Sequence, residues 1–283
     1  MDYQTPSEVV GGLIESARRK AKLSISDLLV RGALAGAILG VATSLAITAS
    51  AQTGLPIVGA LIFPVGFVMI VLLGLELVTG NFAVMPLGQL RHTVTTTEVL
   101  RNWTWVFVGN LLGSLAYGVL LAATLTMTWS TPAGGIAEKI VAAAELKTLA
   151  YASHGAAGLA TAFIKAMLCN WMVCMGVVMG LVASSTVSKI VAAWLPITVF
   201  FAHGFEHAVV NMFLIPTGML LGAKTGLPEW WLWNQIPVTL GNFAGGFLFT
   251  GLALYVTYGV KAPAPTQERP APDGERPLAP VAP

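Results

Sequence analysis

Charge is what this chain has least of: only 10% of its 283 residues are Asp, Glu, Lys or Arg, against about 25% in an ordinary soluble domain. That deficit excludes a soluble globular protein. Fifteen Lys and Arg against thirteen Asp and Glu leave a net charge of +2 and no polybasic block, which excludes a nucleic-acid partner. Cysteine is nearly absent as well. Cys169 and Cys174 lie five apart inside an apolar run, where thiols act as small buried hydrophobes rather than as a disulfide framework. The four histidines lack haem-like pairing, and the chain carries no nucleotide loop and no metal-ligand cluster. No catalytic residue, metal or cofactor is therefore assigned, and the chain does not read as an enzyme.

Apolar residues are what the chain has in excess. They make up 55% of it, and the mean hydropathy is +0.76, the composition of a protein dissolved in lipid. A hydrocarbon core about 30 Å thick takes about 20 apolar residues as helix. Six sparsely charged stretches approach or exceed that length, at 32–50, 56–75, 102–127, 157–182, 190–222 and 236–258. The expected fold class is an all-α integral membrane protein with six transmembrane helices. Ahead of them, residues 1–27 read as a cytoplasmic segment whose amphipathic helix, 7–22, ends in Arg18, Arg19, Lys20 and Lys22. Residues 28–260 form the membrane domain. Residues 261–283 are Pro-rich, polar and aperiodic, and are expected to be a disordered cytoplasmic tail.

Cytoplasmic loops retain positive charge. On a six-span layout Arg18, Arg19, Lys20, Lys22, Arg91, Arg101, Lys189, Lys261, Arg269 and Arg276 share one face, and Lys139, Lys147 and Lys224 the other. Both termini are accordingly expected in the cytoplasm of a multi-pass plasma-membrane protein, in a bacterial or archaeal inner membrane. The external segments are then a turn at 52–56, a long connection at 128–155 and the Trp-rich stretch 228–233. There, Trp230, Trp231 and Trp233 suit an aromatic interfacial belt.

Two of the six stretches overrun the bilayer, and both carry one pattern. Gly74-x-Glu76, Asn81, Pro86 and Gly88 recur as Gly204-x-Glu206, Asn211, Pro216 and Gly218, every position shifted by 130. Gly109-Asn110-x-x-Gly113 returns as Gly241-Asn242-x-x-Gly245, shifted by 132. The membrane domain therefore reads as two homologous halves, about 28–127 and 157–258. Three spans per half is an odd number, so halves joined by one loop insert in opposite orientations. The expectation is an inverted repeat of aquaporin-like architecture, with its second and fifth helices broken near the midplane. Freed backbone groups are tolerated there only where they line a cavity or are buried in protein.

Polar side chains in hydrocarbon mark ion or substrate routes. His207 sits at the second break, where its imidazole can donate to an anion, pass a proton or tie broken backbone together. Glu76 and Glu206 occupy matching places and are expected to accept hydrogen bonds from backbone N–H groups at the breaks. Gly80 and Asn81 adjoin the first break, Gly80 for its conformational freedom. Thr79 offers a hydroxyl and Asn170 and Asn211 offer amides, neutral groups able to hold a small anion without trapping it. Asn110 and Asn242 are expected to bind the breaks. Lys165, in the fourth stretch, matches Arg31 across the repeat and reads as paired with a carboxylate or placed at a subunit contact.

Three segments, Glu76-Leu-Val-Thr79-Gly-Asn81, Leu168-Cys-Asn170-Trp171-Met-Val-Cys174, and Gly204-Phe-Glu206-His207 through Asn211-Met-Phe213, resemble the formate/nitrite transporter family. The resemblance runs from about residue 5 to 260. It implies a homopentamer with one pore per protomer. By the same resemblance His207 looks like the central pore histidine and Thr79 like the hydroxyl on the loop of the first break. Phe63 and Phe200 fall at the outer constriction, with Leu77 and Val78 near the inner one. The family's vestibule lysine lies sixteen residues before the asparagine matching Asn170, which is His154 in this chain. A histidine is cationic only at acidic pH, so this departure implies stronger activation by external acid. Lys147, seven residues earlier, substitutes if the loop runs differently.

The function expected is a channel or proton-coupled transporter for small monovalent weak-acid anions, formate or nitrite first, with no cofactor and with membrane lipid as its surroundings. Hydrosulfide, acetate and lactate share the same chemistry. The rival reading is an aquaporin-like channel for small neutral solutes; its paired Asn-Pro-Ala turns are absent from the sequence.

Overall fold

Helices begin and end where the sequence supplies caps. Thr5 and Glu8 form a reciprocal capping box that opens helix α1 (Pro6–Ala21), and Ser24 accepts from the Asp27 N–H to open α2 (Ile25–Thr53). Then follow α3 (Pro56–Ile62), α4 (Pro64–Leu72), α5 (Val78–Leu90), α6 (Thr96–Leu125), α7 (Ile136–Leu146) and α8 (Leu149–Ser153). The second half holds α9 (Gly155–Val182), α10 (Thr186–Ala202), α11 (Ala208–Leu220) and α12 (Leu227–Tyr258), the last with π-helical turns at Trp231–Gln235 and Phe247–Leu252. The computed structural model describes residues 3–259, whose regular secondary structure is helical apart from one isolated bridge between Tyr3 and Ala183. The segment 261–283 lies outside the described residues.

Four helices, α2, α6, α9 and α12, are long and apolar enough to cross a membrane. They associate in two pairs through small residues, because lipid offers no hydrophobic gain and close backbone contact supplies the attraction instead. In the α2–α6 pair a Cβ on Gly36 would collide with the Asn110 carbonyl, and one on Gly113 with the Ala33 carbonyl. In the α9–α12 pair a Cβ on Gly241 would strike the Phe163 carbonyl and one on Gly245 the Met167 carbonyl. The repeat seen in sequence is thus a repeat of helix contacts.

Between these pairs lie the shorter helices. Helix α4 stops at Leu72 and α5 starts at Val78; α10 stops at Ala202 and α11 starts at Ala208. A cluster including Phe63, Phe67, Phe82, Phe200, Val209 and Met212 packs around the two gaps.

Two amphipathic helices cover the ends of this core. Helix α1 seats Val10, Leu13 and Ala17 against Met85 and Leu87 of α5. Helix α7 seats Ala137 and Ile140 against Phe213 and Leu214 of α11. They are counterparts: a Cβ on Gly88 would meet Ala17, and a Cβ on Gly218 would meet Ala144. The long connection 128–155 therefore carries a helical cap, α7 and α8, after turns at 128–135. Trp230 also departs from the interfacial belt, being buried with its indole N–H donating to Gln235 Oε1 at 3.1 Å.

Gly113→Val and Gly245→Val each drive a branched side chain into a carbonyl of the facing helix, an overpacking cost of about 3 kcal/mol or more. Both are expected to lower the midpoint of thermal unfolding in detergent, followed by tryptophan fluorescence. Gly12→Ala, whose Cβ meets nothing within 4 Å, should leave it in place.

Candidate functional site

Each gap begins with a glycine in the left-handed region, Gly74 at φ +63° and Gly204 at φ +62°. That conformation lets Leu75 N–H bond back to the Ile70 carbonyl at 3.0 Å and Phe205 N–H to the Phe200 carbonyl at 3.2 Å, closing the helix ends. The chain then extends through Leu77 and His207, whose dihedrals nearly coincide (φ −119°, ψ 117° and φ −115°, ψ 118°). Gly80 is not the hinge its neighbourhood suggested. It lies inside α5, while the freedom resides six residues earlier in Gly74.

The backbone groups freed at the gaps are bound by Asn110 and Asn242, as the repeat suggested. Asn110 Oδ1 accepts from Val78 N–H at 3.0 Å, and its Nδ2 donates to the carbonyls of Gly32 and Glu76, both at 2.8 Å. Asn242 Oδ1 accepts from Ala208 N–H at 2.8 Å, and its Nδ2 donates to Ala166 at 2.8 Å and Glu206 at 2.9 Å. With those N–H groups already taken, the glutamate carboxylates meet side chains instead of the expected backbone donors. Glu76 accepts from Lys20 Nζ at 2.7 Å and Asn81 Nδ2 at 2.8 Å. Glu206 accepts from Lys147 Nζ at 2.9 Å, Tyr151 O–H at 2.8 Å and Asn211 Nδ2 at 2.8 Å. Buried charges persist only when paired and hydrogen-bonded in this way.

Between the two gaps Thr79 and His207 meet. His207 caps α11: its Nδ1 accepts from Val210 N–H at 3.1 Å, and its Nε2 lies 3.0 Å from Thr79 Oγ1. Because Nδ1 is an acceptor, the proton of the neutral ring sits on Nε2, which donates to Thr79 Oγ1. The Thr79 hydroxyl hydrogen then stays available to a third group. Thr79 lies in the first turn of α5 rather than in the loop. Its carbonyl accepts from Asn170 Nδ2 at 2.9 Å and from Cys174 Sγ at 3.6 Å.

Apolar groups close the site. The His207 ring stacks on Phe200 at 5.8 Å, and Phe200 meets Phe63 edge-on at 5.7 Å. Leu77 and Val78 are buried on the other side. A cavity of about 520 Å³ opens beyond them, reaching Glu76, Leu77, Gly80 and Asn81 and walled by Lys20 of α1. The missing side chain at Gly80 keeps its floor open.

The amides expected to hold an anion have no donors to spare. Asn170 donates both to Thr79 and, at 2.6 Å, to the Asn242 carbonyl, while Asn211 donates to Glu206 and to Asn234 Oδ1 at 2.8 Å. Each is left with one buried, unpartnered acceptor, Oδ1. His154 is exposed at the head of α9, and the cation against the second gap is Lys147. His203 is exposed too, its Nδ1 2.8 Å from the Val199 carbonyl. Sequence reasoning missed Lys20, Tyr151, Asn234 and Asn102, whose Oδ1 accepts from Asn81 Nδ2 at 2.8 Å. The available signals were Ala17-x-x-Lys20 and Ala144-x-x-Lys147, shifted by 127, and Asn102 and Asn234, shifted by the same 132 as Asn110 and Asn242.

A family model described as formate/nitrite transporter matches residues 7–256. The chain is 34% identical over 273 residues to a probable formate transporter of Methanothermobacter thermautotrophicus, covering 90% of this chain and 97% of that one. It is 32% identical over 274 residues to formate channel FocA of Haemophilus influenzae, covering 88% and 92%. Among solved structures, it is similar to an FNT family ion channel with a TM-score of 0.75 at 26% identity, covering 88% and 98%. A pentameric formate channel with formate bound matches with a TM-score of 0.68 at 25% identity, covering 83% and 97%.

Lys147→Met leaves Glu206 buried without its cation, a loss of about 3–5 kcal/mol. A marked drop in thermal midpoint is expected, and adding Glu206→Gln should restore most of it. A double variant as unstable as the single one would show that Lys147 acts through packing instead.

Proposed function

We propose that this chain, which belongs to the formate/nitrite transporter family, is a channel or proton-coupled transporter for small monovalent weak-acid anions, formate or nitrite. The observation that carries the reading is the hydrogen bond between Thr79 and His207 where the two helix gaps meet. It leaves one hydroxyl hydrogen free inside an otherwise apolar, buried ring. A carboxylate or nitrite oxygen accepts such a hydrogen, whereas a hydrated metal cation finds no ligand set there. The relatives named as formate transporters and channels support formate as the first cargo to test.

In this reading the protomer has six spans, α3–α5 and α10–α11 being the broken second and fifth, in two inverted halves with both termini cytoplasmic. The neighbour described as a pentameric formate channel supports a homopentamer, which this reading sets in a plasma membrane. Anions enter through the cavity beside Glu76 and Asn81, pass Leu77 and Val78, and leave past Phe63 and Phe200. The dry ring opposes a bare carboxylate, because an unpaired charge in an apolar medium costs many kcal/mol. A hydrogen bond from Thr79, itself held by His207, offsets part of that cost where it is highest. Asn170 and Asn211 support the path by holding the Thr79 carbonyl and the Glu206 carboxylate. Lys147, rather than His154, is the fixed cation at the outer break. Hydrosulfide, acetate and lactate meet the same chemistry and differ in size.

Uptake of formate and nitrite into proteoliposomes, measured at external pH 5 to 8, tests the reading. Flux is expected to rise with acidity, since weak acids cross a dry ring most readily as the neutral species. His207→Phe, which removes both the α11 cap and the Thr79 contact, should lower the rate at least about 10-fold. Passage of small neutral solutes without either anion would replace the reading with a neutral-solute channel.

A further inference from the structure

The repeat separates what the helix contacts need from what the centre needs. Asn110 Nδ2 donates to the Gly32 carbonyl and Asn242 Nδ2 to the Ala166 carbonyl. Helices α2 and α9 are therefore in register at a shift of 134, with Gly36 against Asn170 and Gly40 against Cys174. Helices α6 and α12, in register at 132, set Ser114 against Gly246. Helices α5 and α11, in register at 130, set Thr79 against Val209 and Ala83 against Phe213. The same helices pack in both halves, but the bulk between them is supplied from different sides.

In the first half α2 offers no side chain at these two places. A Cβ on Gly36 would meet the Asn110 carbonyl and Ser114 Oγ, and one on Gly40 would meet the rings of Tyr117 and Phe213. Those rings, 5.4 Å apart, take up the space. In the second half Phe213 gives way to the methyl of Ala83 and Ser114 to the bare Gly246. A Cβ on Gly246 would lie 2.5 Å from Asn170 Nδ2, 3.1 Å from Cys174 Sγ and 3.3 Å from Phe82 Cβ. Beside Gly246, α9 projects an amide and a thiol, both buried and one turn apart. They end on one acceptor, the Thr79 carbonyl, Asn170 Nδ2 at 2.9 Å and Cys174 Sγ at 3.6 Å. Glycines at 36 and 40 can send no such donor to the equivalent carbonyl of Val209.

Thr79 stands in the first turn of α5, where a helix frays most readily because its N–H groups have no intrahelical acceptors. Fixing the Thr79 carbonyl fixes the peptide plane beside its Cα, and with it the direction of the hydroxyl 3.0 Å from His207. Asn170 also donates to the Asn242 carbonyl at 2.6 Å, so this turn is braced against the residue that closes the second gap. On the channel reading above, we infer that Cys174 and Gly246 are, together with Asn170, positioning residues for Thr79. Cys174 shares the carbonyl with Asn170, and Gly246 leaves room for both. They aim the hydroxyl and so set the rate of the central step. The helix contacts close without them, as they do in the first half.

Formate uptake into proteoliposomes, read beside the thermal midpoint of each protein in detergent, tests this. Cys174→Val keeps the bulk and removes the donor. It is expected to lower the maximal rate about 3-fold with apparent KM and midpoint unchanged, and Cys174→Ser, which keeps a donor, should retain most of the rate. Gly246→Ala, which drives a methyl against the Asn170 amide, should lower the maximal rate at least about 5-fold. Ser114→Ala, at the mirror position, removes a buried hydroxyl that has no partner and should leave the rate in place. The decisive variant is Asn170→Gly with Gly246→Ser, which installs the first half's pair in the second half. It is expected to fold and to carry formate at least about 10-fold more slowly. Wild-type rates in Cys174→Val and in the double variant would overturn the inference. So would a raised KM at full maximal rate, which would place these residues at anion entry, or a double variant that fails to fold, which would assign the pair to helix closure. Wild-type vesicles that carry no formate would instead remove the channel reading itself, an outcome distinct from these.

Discussion

Backbone that leaves the helical conformation inside hydrocarbon keeps its hydrogen-bonding groups, and no water is there to satisfy them. Two such interruptions lie side by side in this protein, and the rest of the site depends on how they are closed. Gly74 and Gly204 turn each ending helix back on itself. Asn110 and Asn242 then each bind one N–H and two carbonyls with a single amide. An asparagine suits the task because it carries donors and an acceptor on one short, uncharged side chain. The helices bearing these asparagines approach α2 and α9 so closely that only glycine fits at Gly36, Gly113, Gly241 and Gly245.

Once amides hold the backbone, the glutamates beside the gaps are free to take cations. Each receives its lysine from an amphipathic helix lying across one end of the core, Lys20 from α1 and Lys147 from just beyond α7. A buried carboxylate without a cation is strongly unfavourable, so the two covering helices are tied to the two gaps by charge as well as by packing. Their buried apolar faces hold the helices in place, and the ion pairs fix where along the gap each end sits.

The central polar pair lies where the halves stop being alike. Leu77 and His207 have matching backbone, as do the first turns that carry Thr79 and Val209, yet each half supplies only one polar side chain. The first half gives the hydroxyl, the second the imidazole, and their apolar counterparts complete the ring. Full symmetry would yield either a dry ring or two competing polar centres. The asymmetric pair gives one hydrogen-bond chain, with its direction set by the α11 N–H that occupies Nδ1.

The sequence by itself determined the solvent, the helical class and the duplicated gaps, because hydropathy and a constant offset of 130 are properties of the linear chain. It also singled out His207, Thr79, Asn110 and Asn242 for attention, since polar groups in apolar runs stand out. It did not reveal that 128–155 holds a second covering helix, for α1 and α7 share little more than an alanine and a lysine at matching spacing. Nor did it show that Lys147 rather than His154 meets Glu206, that Gly74 rather than Gly80 turns the chain, or that the amide hydrogens of Asn170 and Asn211 are already used. The Lys147 and Asn170 contacts join residues 59 to 91 positions apart in the chain. Which donor reaches which acceptor is decided by helix packing, and packing exists only once the chain has folded.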